Sequence, residues 1–388
     1  MKYDFDTPVN RRGTDSVKWN VGENELPMWI ADMDFQAAPE IRAALRERLE
    51  HGIYGYTGIF DDWYEAYIYW WKTRHNWVLQ KSWLMFCTGV VPAISSIVRK
   101  LTTPNENVVV QTPVYNMFFN SVVNNGRRVL ENPLIYENGE YRMDLPDLER
   151  KLADPQTSLM ILCNPHNPVG RIWEKETLAQ IGRLAKKYHV TVISDEIHCD
   201  LTEAGVDYVP FASASEDCRD CSITCIAPTK TFSIPGLQTA AISVPDPFLR
   251  HKVWRGINTD EVAEGNCFAC TAAIAAYTKG APWLDELRAY VSENRRVATQ
   301  VIAERLPQIH VVPQNATYLM WVDISKVGDS EHVADHIRAQ TGLFLTAGSH
   351  YGEAGRNFLR INIACPRSTL LDGLQRLEKG IESYRAEG

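Results

Sequence analysis

The feature of this sequence that most constrains its fold is an alternation of short apolar runs and helical patterns between residues 84 and 245. The apolar runs are rich in β-branched residues and lie at Val108–Gln111, Ser158–Cys163, Val190–Ser194, Ser222–Ala227 and Ala240–Val244. They are apolar throughout rather than alternating, which is typical of strands buried on both faces. Helical periodicity lies between them, most clearly at 92–101 and 174–188. This pattern predicts an α/β fold with a mostly parallel sheet sandwiched by helices.

The pattern changes after about residue 246. A continuous helical pattern covers about 261–305, and shorter helical patterns at 330–341 and 367–385 alternate with brief strand-like segments. Few helices and short, antiparallel strands predict a smaller α+β domain at the C-terminus. We therefore predict three parts, which are an N-terminal segment over 1–45 that joins the small domain, a large domain over 46–280 and a small domain over 281–388.

The charge balance disfavours one broad class of partner. The chain has 40 lysine and arginine residues against 48 aspartate and glutamate residues, a formal net charge of −8. Proteins that bind nucleic acid generally present a broad basic face, which this balance does not favour. The sequence also has no apolar run of about 18 residues that could span a membrane, and its polar first residues lack the apolar core of a signal peptide. We expect no nucleic-acid partner, no membrane partner and a cytoplasmic location.

The cysteines indicate free thiols rather than a structural framework. There are nine, an odd number that cannot pair completely, and most lie in ordinary apolar settings, as expected in a reducing compartment. Two C-x-x-C pairs, Cys218/Cys221 and Cys267/Cys270, have the spacing of a four-thiolate zinc site. One pair lies in a polar turn and the other in a stretch of small residues, and we expect neither to bind metal.

Polar residues follow three of the predicted strands directly, at the edge where open α/β sheets bind ligands. Asn167 lies in the loop Asn164–Gly170, Asp195 ends the strand after Val190, and Lys230 follows the strand that starts at Ser222. A buried aspartate needs a cationic partner. A lysine at a buried strand end loses solvation, which lowers its pKa and favours nucleophilic chemistry. Each feature by itself has a simpler interpretation: the loop Asn164–Gly170 can be a rigid turn without a ligand, and Lys230 can be a surface residue.

Two further positions suit an anionic ligand. Thr88 and Gly89 precede a helix, so the free N–H groups of Val90 and Val91 can point at an anion. Arg360 lies within a predicted strand, flanked by apolar residues. An arginine in that position suits a planar anion such as a carboxylate, and an internal ion pair is the alternative.

Together, four of these residues identify a family. Asn167, Asp195, Lys230 and Arg360 occur in that order, separated by 28, 35 and 130 residues. In this the chain resembles the fold-type-I pyridoxal-phosphate enzymes of the aminotransferase class I/II family, over nearly its whole length. The resemblance implies an aspartate aminotransferase-like fold and a pyridoxal 5′-phosphate cofactor.

The resemblance also implies roles for these residues. Lys230 would bond covalently to the cofactor, Asp195 would pair with its ring nitrogen, and Asn167 would hydrogen-bond the O3′ oxygen attached to the ring. Arg360 would bind the substrate carboxylate with help from Asn167. Two tyrosines also match the family. Tyr115, in the segment Gln111–Asn116, matches the aromatic residue that stacks on the ring, and Tyr56, in the segment Tyr54–Thr57, matches the tyrosine that reaches the phosphate of the neighbouring subunit. The last match implies a homodimer with shared active sites.

Departures from the transaminase pattern narrow the branch. His198 stands where transaminases have a tyrosine, and Ala227 replaces a common phosphate-side serine, so that Thr229 and backbone amides would contribute more. The segment Met28–Phe35 replaces the usual glycine-rich segment and would place Ala31 beside the substrate carboxylate. These features are similar to the MalY/PatB type of cystathionine β-lyase, a branch of C–S lyases.

That branch implies β-elimination of L-cystathionine or related cysteine S-conjugates, giving a thiol, pyruvate and ammonia. The expected catalytic residues are Lys230, Asp195 and Tyr56, and the expected partner is a small amino acid thioether. Two alternatives remain open: an aminotransferase acting on an amino acid, and a family member with an added regulatory binding role.

Overall fold

The structure, a computed structural model, describes residues 2–387. Its strands are β1 Leu26–Pro27, β2 Leu84–Cys87, β3 Asn107–Val110, β4 Arg128–Glu131, β5 Ile135–Glu137, β6 Glu140–Arg142, β7 Thr157–Cys163, β8 Thr191–Asp195, β9 Ser222–Ile226, β10 Ala240–Ser243, β11 His310–Val311, β12 Leu319–Asp323, β13 Leu343–Phe344, β14 Thr346–Ala347 and β15 Phe358–Asn362. Each predicted strand between residues 84 and 245 is present, with ends that differ by at most one residue.

The α-helices lie between and after these strands. They are α1 Pro39–Glu50, α2 Asp61–His75, α3 Val90–Leu101, α4 Met117–Val123, α5 Leu145–Leu152, α6 Lys175–Lys187, α7 Phe211–Ala214, α8 Glu216–Cys221, α9 Pro228–Thr231, α10 Pro247–Thr259, α11 Ala269–Lys279, α12 Ala281–Arg305, α13 Ser330–Thr341 and α14 Arg367–Glu387.

The large sheet has the strand order β2-β10-β9-β8-β7-β3-β4. Strand β10 runs antiparallel to both of its neighbours, and the other pairs are parallel. Its faces are both covered, because Val108 and Val110 pack into one apolar cluster with α3 and α10, whereas Val109 packs into another with α5 and α6. The predicted mostly parallel sheet, sandwiched by helices, is therefore confirmed.

The prediction of one long helix over 261–305 is wrong. The chain forms two helices, α11 and α12, which are separated at Gly280. Pro282 lies in the first turn of α12 and has no N–H to donate back into a preceding helix. A side chain at Gly280 would meet the ring of Phe232 and the carbonyl of Ala276, so the break also allows close packing.

A second sheet, β11-β12-β15-β14, is antiparallel throughout. Trp321 of β12 lies opposite Arg360 of β15. Near the start of the chain, β1 pairs with β13, with Leu26 opposite Leu343, so the N-terminal segment is bound to the C-terminal part. These pairings support the predicted division at 1–45, 46–280 and 281–388, which stays a prediction. Within residues 2–387, no helix has both the length and the apolar character needed to cross a membrane.

Candidate active site

Three neighbouring strands of the large sheet end at the same edge. Cys163 of β7 and Cys225 of β9 both lie opposite Asp195 of β8. The loop after β7 carries Asn167 and the short helix α9 after β9 carries Lys230, so parallel pairing brings all three to one place. A cavity of about 370 Å³ opens there, and nine sequence-predicted residues line it: Ala31, Val90, Val91, Tyr115, Asn167, Asp195, His198, Thr229 and Lys230.

The Lys230 amine is held inside the cavity rather than in solvent. Its Nζ donates a hydrogen bond to the carbonyl oxygen of Ala31 at 2.6 Å. Burial lowers the pKa of Lys230 to about 8; Asp32 and Asp195 oppose this shift, and the charge of Arg360 adds to it. A larger share of this amine is therefore neutral near physiological pH than of an ordinary lysine, and only the neutral amine is nucleophilic.

Asp195 faces the same cavity in a buried position. Burial raises the pKa of its carboxyl to about 7, while the Ile197 N–H, which donates to Oδ1 at 3.1 Å, and the charge of Lys230 act in the opposite direction. A cation placed against this carboxyl would restore its ionised form. Perturbed titratable groups gathered in one cavity are typical of a catalytic site.

His198 is a neutral group in the cavity wall. Burial lowers the pKa of its imidazole to about 3, and the positive charges of Lys230 and Arg360 lower it further. Its Nδ1 is buried and has no hydrogen-bond partner in the part of the chain that the structure describes. The ring is therefore an uncharged polar group at physiological pH, available to a ligand in the cavity.

Arg360 belongs to the small sheet and does not itself line the cavity, but it contacts Asn167, which does. One of its NH groups donates to Oδ1 of Asn167 at 3.2 Å, and another donates to the carbonyl oxygen of Trp29 at 2.9 Å. Its guanidinium carbon lies 4.8 Å from the ring centre of Tyr351. Its Nε is buried and has no hydrogen-bond partner among residues 2–387, so this arginine keeps hydrogen-bonding capacity for an anion.

The start of α3 forms another wall. Gly89 precedes this twelve-residue helix, and Val90 and Val91 are its first two residues. Backbone N–H groups at such a position have no partner within the helix, and they form the positive end of the helix dipole. Tyr115, half-buried, and Thr229, buried, line the cavity as well. Burial raises the pKa of Tyr115 to about 12, so its ring stays uncharged.

The segment around Ala31 is fixed by two residues that sequence reasoning missed. Tyr318 donates its hydroxyl to the Ala31 carbonyl at 3.0 Å, the same oxygen that accepts from Lys230. Asn362 donates from Nδ2 to the carbonyl oxygens of Ile30 and Asp32, each at 2.7 Å. Asn362 was available to sequence reasoning, because residues two apart on a strand share a face and Arg360 lies two residues earlier. No comparable signal marks Tyr318.

Tyr56 is the one predicted catalytic residue that does not line this cavity. Its side chain is fully exposed on the single chain. The prediction that it serves a neighbouring subunit stays a prediction.

The two C-x-x-C pairs are the zinc-site candidates that the sequence offers. Across residues 2–387, the ligand atoms of just one grouping, His75, Cys199 and Asp200, converge, and neither C-x-x-C pair belongs to it. All nine cysteines are free thiols.

Comparison with known proteins identifies the family. The model of the family "Aminotransferase class I and II" matches residues 14–377. The chain is 44% identical to cystathionine β-lyase PatB of Bacillus subtilis, covering 97% of this chain and 99% of that protein. It is 31% identical to protein MalY of Escherichia coli, covering 99% and 100%. Cystalysin from Treponema denticola, whose crystal structure contains pyridoxal 5′-phosphate, superposes with a TM-score of 0.96 at 32% identity, over 99% of this chain and 100% of that one.

The match covers nearly the whole chain and includes the strand ends that carry Asn167, Asp195 and Lys230. The predicted resemblance, including its MalY/PatB branch, is confirmed by these relatives. The chain therefore belongs to the aminotransferase class I and II family.

Proposed function

We propose that this protein is a pyridoxal-phosphate-dependent lyase that cleaves L-cystathionine or related cysteine S-conjugates by β-elimination, giving a thiol, pyruvate and ammonia. The observation that carries the proposal is the convergence of the Lys230 amine and the Asp195 carboxyl on one cavity. The chain's 44% identity to a protein named cystathionine β-lyase supports this reaction over transamination.

The residues present fit the cofactor. Its phosphate suits the free N–H groups of Val90 and Val91, with the Thr229 hydroxyl nearby. Its ring nitrogen suits Asp195, and its ring suits stacking on Tyr115. Asn167 has an Nδ2 group that makes no hydrogen bond to a described residue, and the orphaned Nδ1 of His198 marks that ring as a further contact. Pyridoxal phosphate supplies an electron sink for the charge that develops on the substrate Cα.

Arg360 is suited to orient the substrate. Its guanidinium already contacts the Trp29 carbonyl and Asn167, which lines the cavity, and its Nε has no partner among the described residues. We infer that it binds the substrate carboxylate, together with Asn167 and the backbone near Ala31. A fixed carboxylate sets which bond of Cα faces Lys230.

Lys230 is placed to move the proton. Its lowered pKa suits a group that accepts a proton from Cα at neutral pH. Asp195 would hold a proton on the ring nitrogen of the cofactor and so would stabilise negative charge on Cα. The Cβ–S bond then breaks, the sulfur leaves as a thiolate, and the enamine product hydrolyses to pyruvate and ammonia. The thiolate receives its proton from Lys230 or from the partner subunit's Tyr56.

Replacing Arg360 by alanine is expected to raise KM by about 100-fold with a smaller effect on kcat, the scale of a lost charge-assisted pair. Steady-state kinetics on cystathionine measure both constants. Arg356→Ala, four residues earlier, removes an arginine paired with Asp329 outside the cavity and is the matched control. An unchanged KM in Arg360→Ala would contradict the carboxylate role.

A homodimer with shared active sites completes the proposal. The segment before α2 exposes Ile53, Tyr54, Tyr56 and Phe60 on the single chain, and large apolar side chains in one exposed segment indicate an interface. A cytoplasmic location is consistent with nine free thiols.

Mixing two inactive variants tests the shared site. Tyr56→Phe and Lys230→Ala subunits, combined in equal amounts and allowed to exchange, should recover about a quarter of the native activity, because half of the dimers then contain one native site. Activity of the mixture, compared with each variant alone, is the measurement. No recovery in mixed dimers verified by a tagged subunit would place Tyr56 outside the partner's site.

The proposed reaction is tested with the purified protein and a panel of cysteine thioethers. Pyruvate, ammonia and thiol should form in equal amounts without any added keto acid. A requirement for a keto acid, with no ammonia released, would establish an aminotransferase instead.

A further inference from the structure

A buried carboxylate lies behind the turn that carries Lys230, outside the cavity described above. Asp200 is 3% exposed, and its Oδ2 accepts a hydrogen bond from the Thr231 hydroxyl at 2.9 Å. Its Oδ1 accepts from the indole Nε1 of Trp70 at 3.0 Å and lies 2.9 Å from Nε2 of His75. The carboxylate therefore joins helix α2 to the residue that follows Lys230.

Asp200 is an anion despite its burial. Burial alone would raise the pKa of its carboxyl, but contacts with His75, Thr231 and Trp70 hold that pKa below its ordinary value. A buried charge persists only when donors surround it. Hydrogen bonds to an ionised acceptor are stronger than neutral ones, so Thr231 is held more firmly than by a bond to a neutral acceptor.

The turn that carries Lys230 depends on such contacts. Helix α9 has four residues, too few to be stable by itself, so its geometry comes from its surroundings. Thr231 is bound to Asp200, and the ring of Phe232 lies 5.8 Å from that of Trp70. On the other side, Ser233 accepts a hydrogen bond from the Met33 N–H at 3.0 Å.

We propose that Asp200, supported by His75 and Trp70, is a positioning residue that holds the Thr231 hydroxyl and thereby fixes the turn from which Lys230 enters the active site. This inference rests on the proposed role of Lys230 and deepens it. The competing explanation is that Thr231 and Asp200 only pack in the interior and satisfy each other's hydrogen bonds, without any effect on Lys230.

Three threonine substitutions separate these explanations. Thr231→Val keeps the shape and removes the hydroxyl, Thr231→Ser keeps the hydroxyl, and Thr224→Val removes a buried hydroxyl that bonds to no residue within 2–387. Each holoenzyme is measured for kcat, KM and the pH midpoint of its visible absorbance. We expect Thr231→Val to lower kcat about 10-fold with KM within about 3-fold, the scale of a lost hydrogen bond to a charged group, and to displace the midpoint. Thr231→Ser should restore both, and Thr224→Val should leave both native.

Two results would overturn the inference: native kcat and midpoint in Thr231→Val, or an equal loss in Thr224→Val. If Thr231→Val does not fold, Asp200→Asn takes its place and should show the same lowered kcat and displaced midpoint; native values there overturn the inference as well. Failure of the proposed function is visible separately, because visible absorbance that persists in Lys230→Ala would reject the role of Lys230 itself.

Discussion

Replacing Lys230 by alanine is expected to abolish both turnover and the visible absorbance of the lysine-linked cofactor. In the proposed reaction the amine is both the nucleophile that bonds to the cofactor and the base that takes the Cα proton, so one substitution removes two functions. General-base catalysis alone contributes about 10²- to 10⁴-fold, and we expect kcat to fall by at least about 10³-fold. The fold should persist, because among the described residues the amine makes one hydrogen bond, to Ala31.

The controls separate the amine's chemistry from its charge. Lys230→Arg keeps a cation at this position, but a guanidinium stays protonated and is not nucleophilic, so this variant should be as inactive as the alanine variant. Lys186→Ala removes an exposed lysine paired with Asp217 and should be indistinguishable from the native protein. Absorption spectra, activity and circular dichroism of the purified proteins measure the three outcomes. Turnover or visible absorbance that survives in Lys230→Ala would reject the covalent assignment.

The chemistry at the strand ends could be predicted because buried parallel strands leave a strong sequence signal. The runs before Asn167, Asp195 and Lys230 are continuously apolar, and parallel strands that are neighbours necessarily end at one edge. Sequence alone therefore placed these three side chains together. Pro282 was a local signal for the break at Gly280. The helical periodicity on both sides of the break nevertheless favoured the prediction of one continuous helix.

The rest depends on how separate parts of the chain pack. Tyr318 reaches the Ala31 carbonyl because the small sheet packs against the N-terminal segment, and nothing local to Tyr318 indicates that contact. The Asp200–Thr231 bond likewise joins residues whose proximity depends on α2 and α9 meeting in the interior. Side chains that orient others are set by tertiary packing, which single-sequence patterns do not contain.

Replacing Asp195 by asparagine is expected to leave the cofactor bound but to slow elimination by about 10²-fold or more, the scale of a lost electrostatic stabiliser. The carboxyl is buried, and burial raises its pKa to about 7. In the proposed site the cationic ring nitrogen of the cofactor would be the partner that keeps it ionised. An asparagine has nearly the same shape as aspartate, but it has no negative charge to hold a proton on the ring nitrogen. Cofactor binding should survive, since Lys230, Asn167 and the start of α3 are unchanged.

The neighbouring carboxyl provides a matched control for this prediction. Glu196 is also buried, and its pKa is also raised to about 7 by burial, but it bonds Ser194 and the Phe211 N–H away from the cavity. Glu196→Gln should therefore reduce kcat far less than Asp195→Asn at equal cofactor content, measured by absorbance. Because both substitutions remove one buried carboxyl, a difference between them isolates the position of the charge. Equal losses in the two variants, or a native kcat in Asp195→Asn, would show that Asp195 is not the partner of the ring nitrogen.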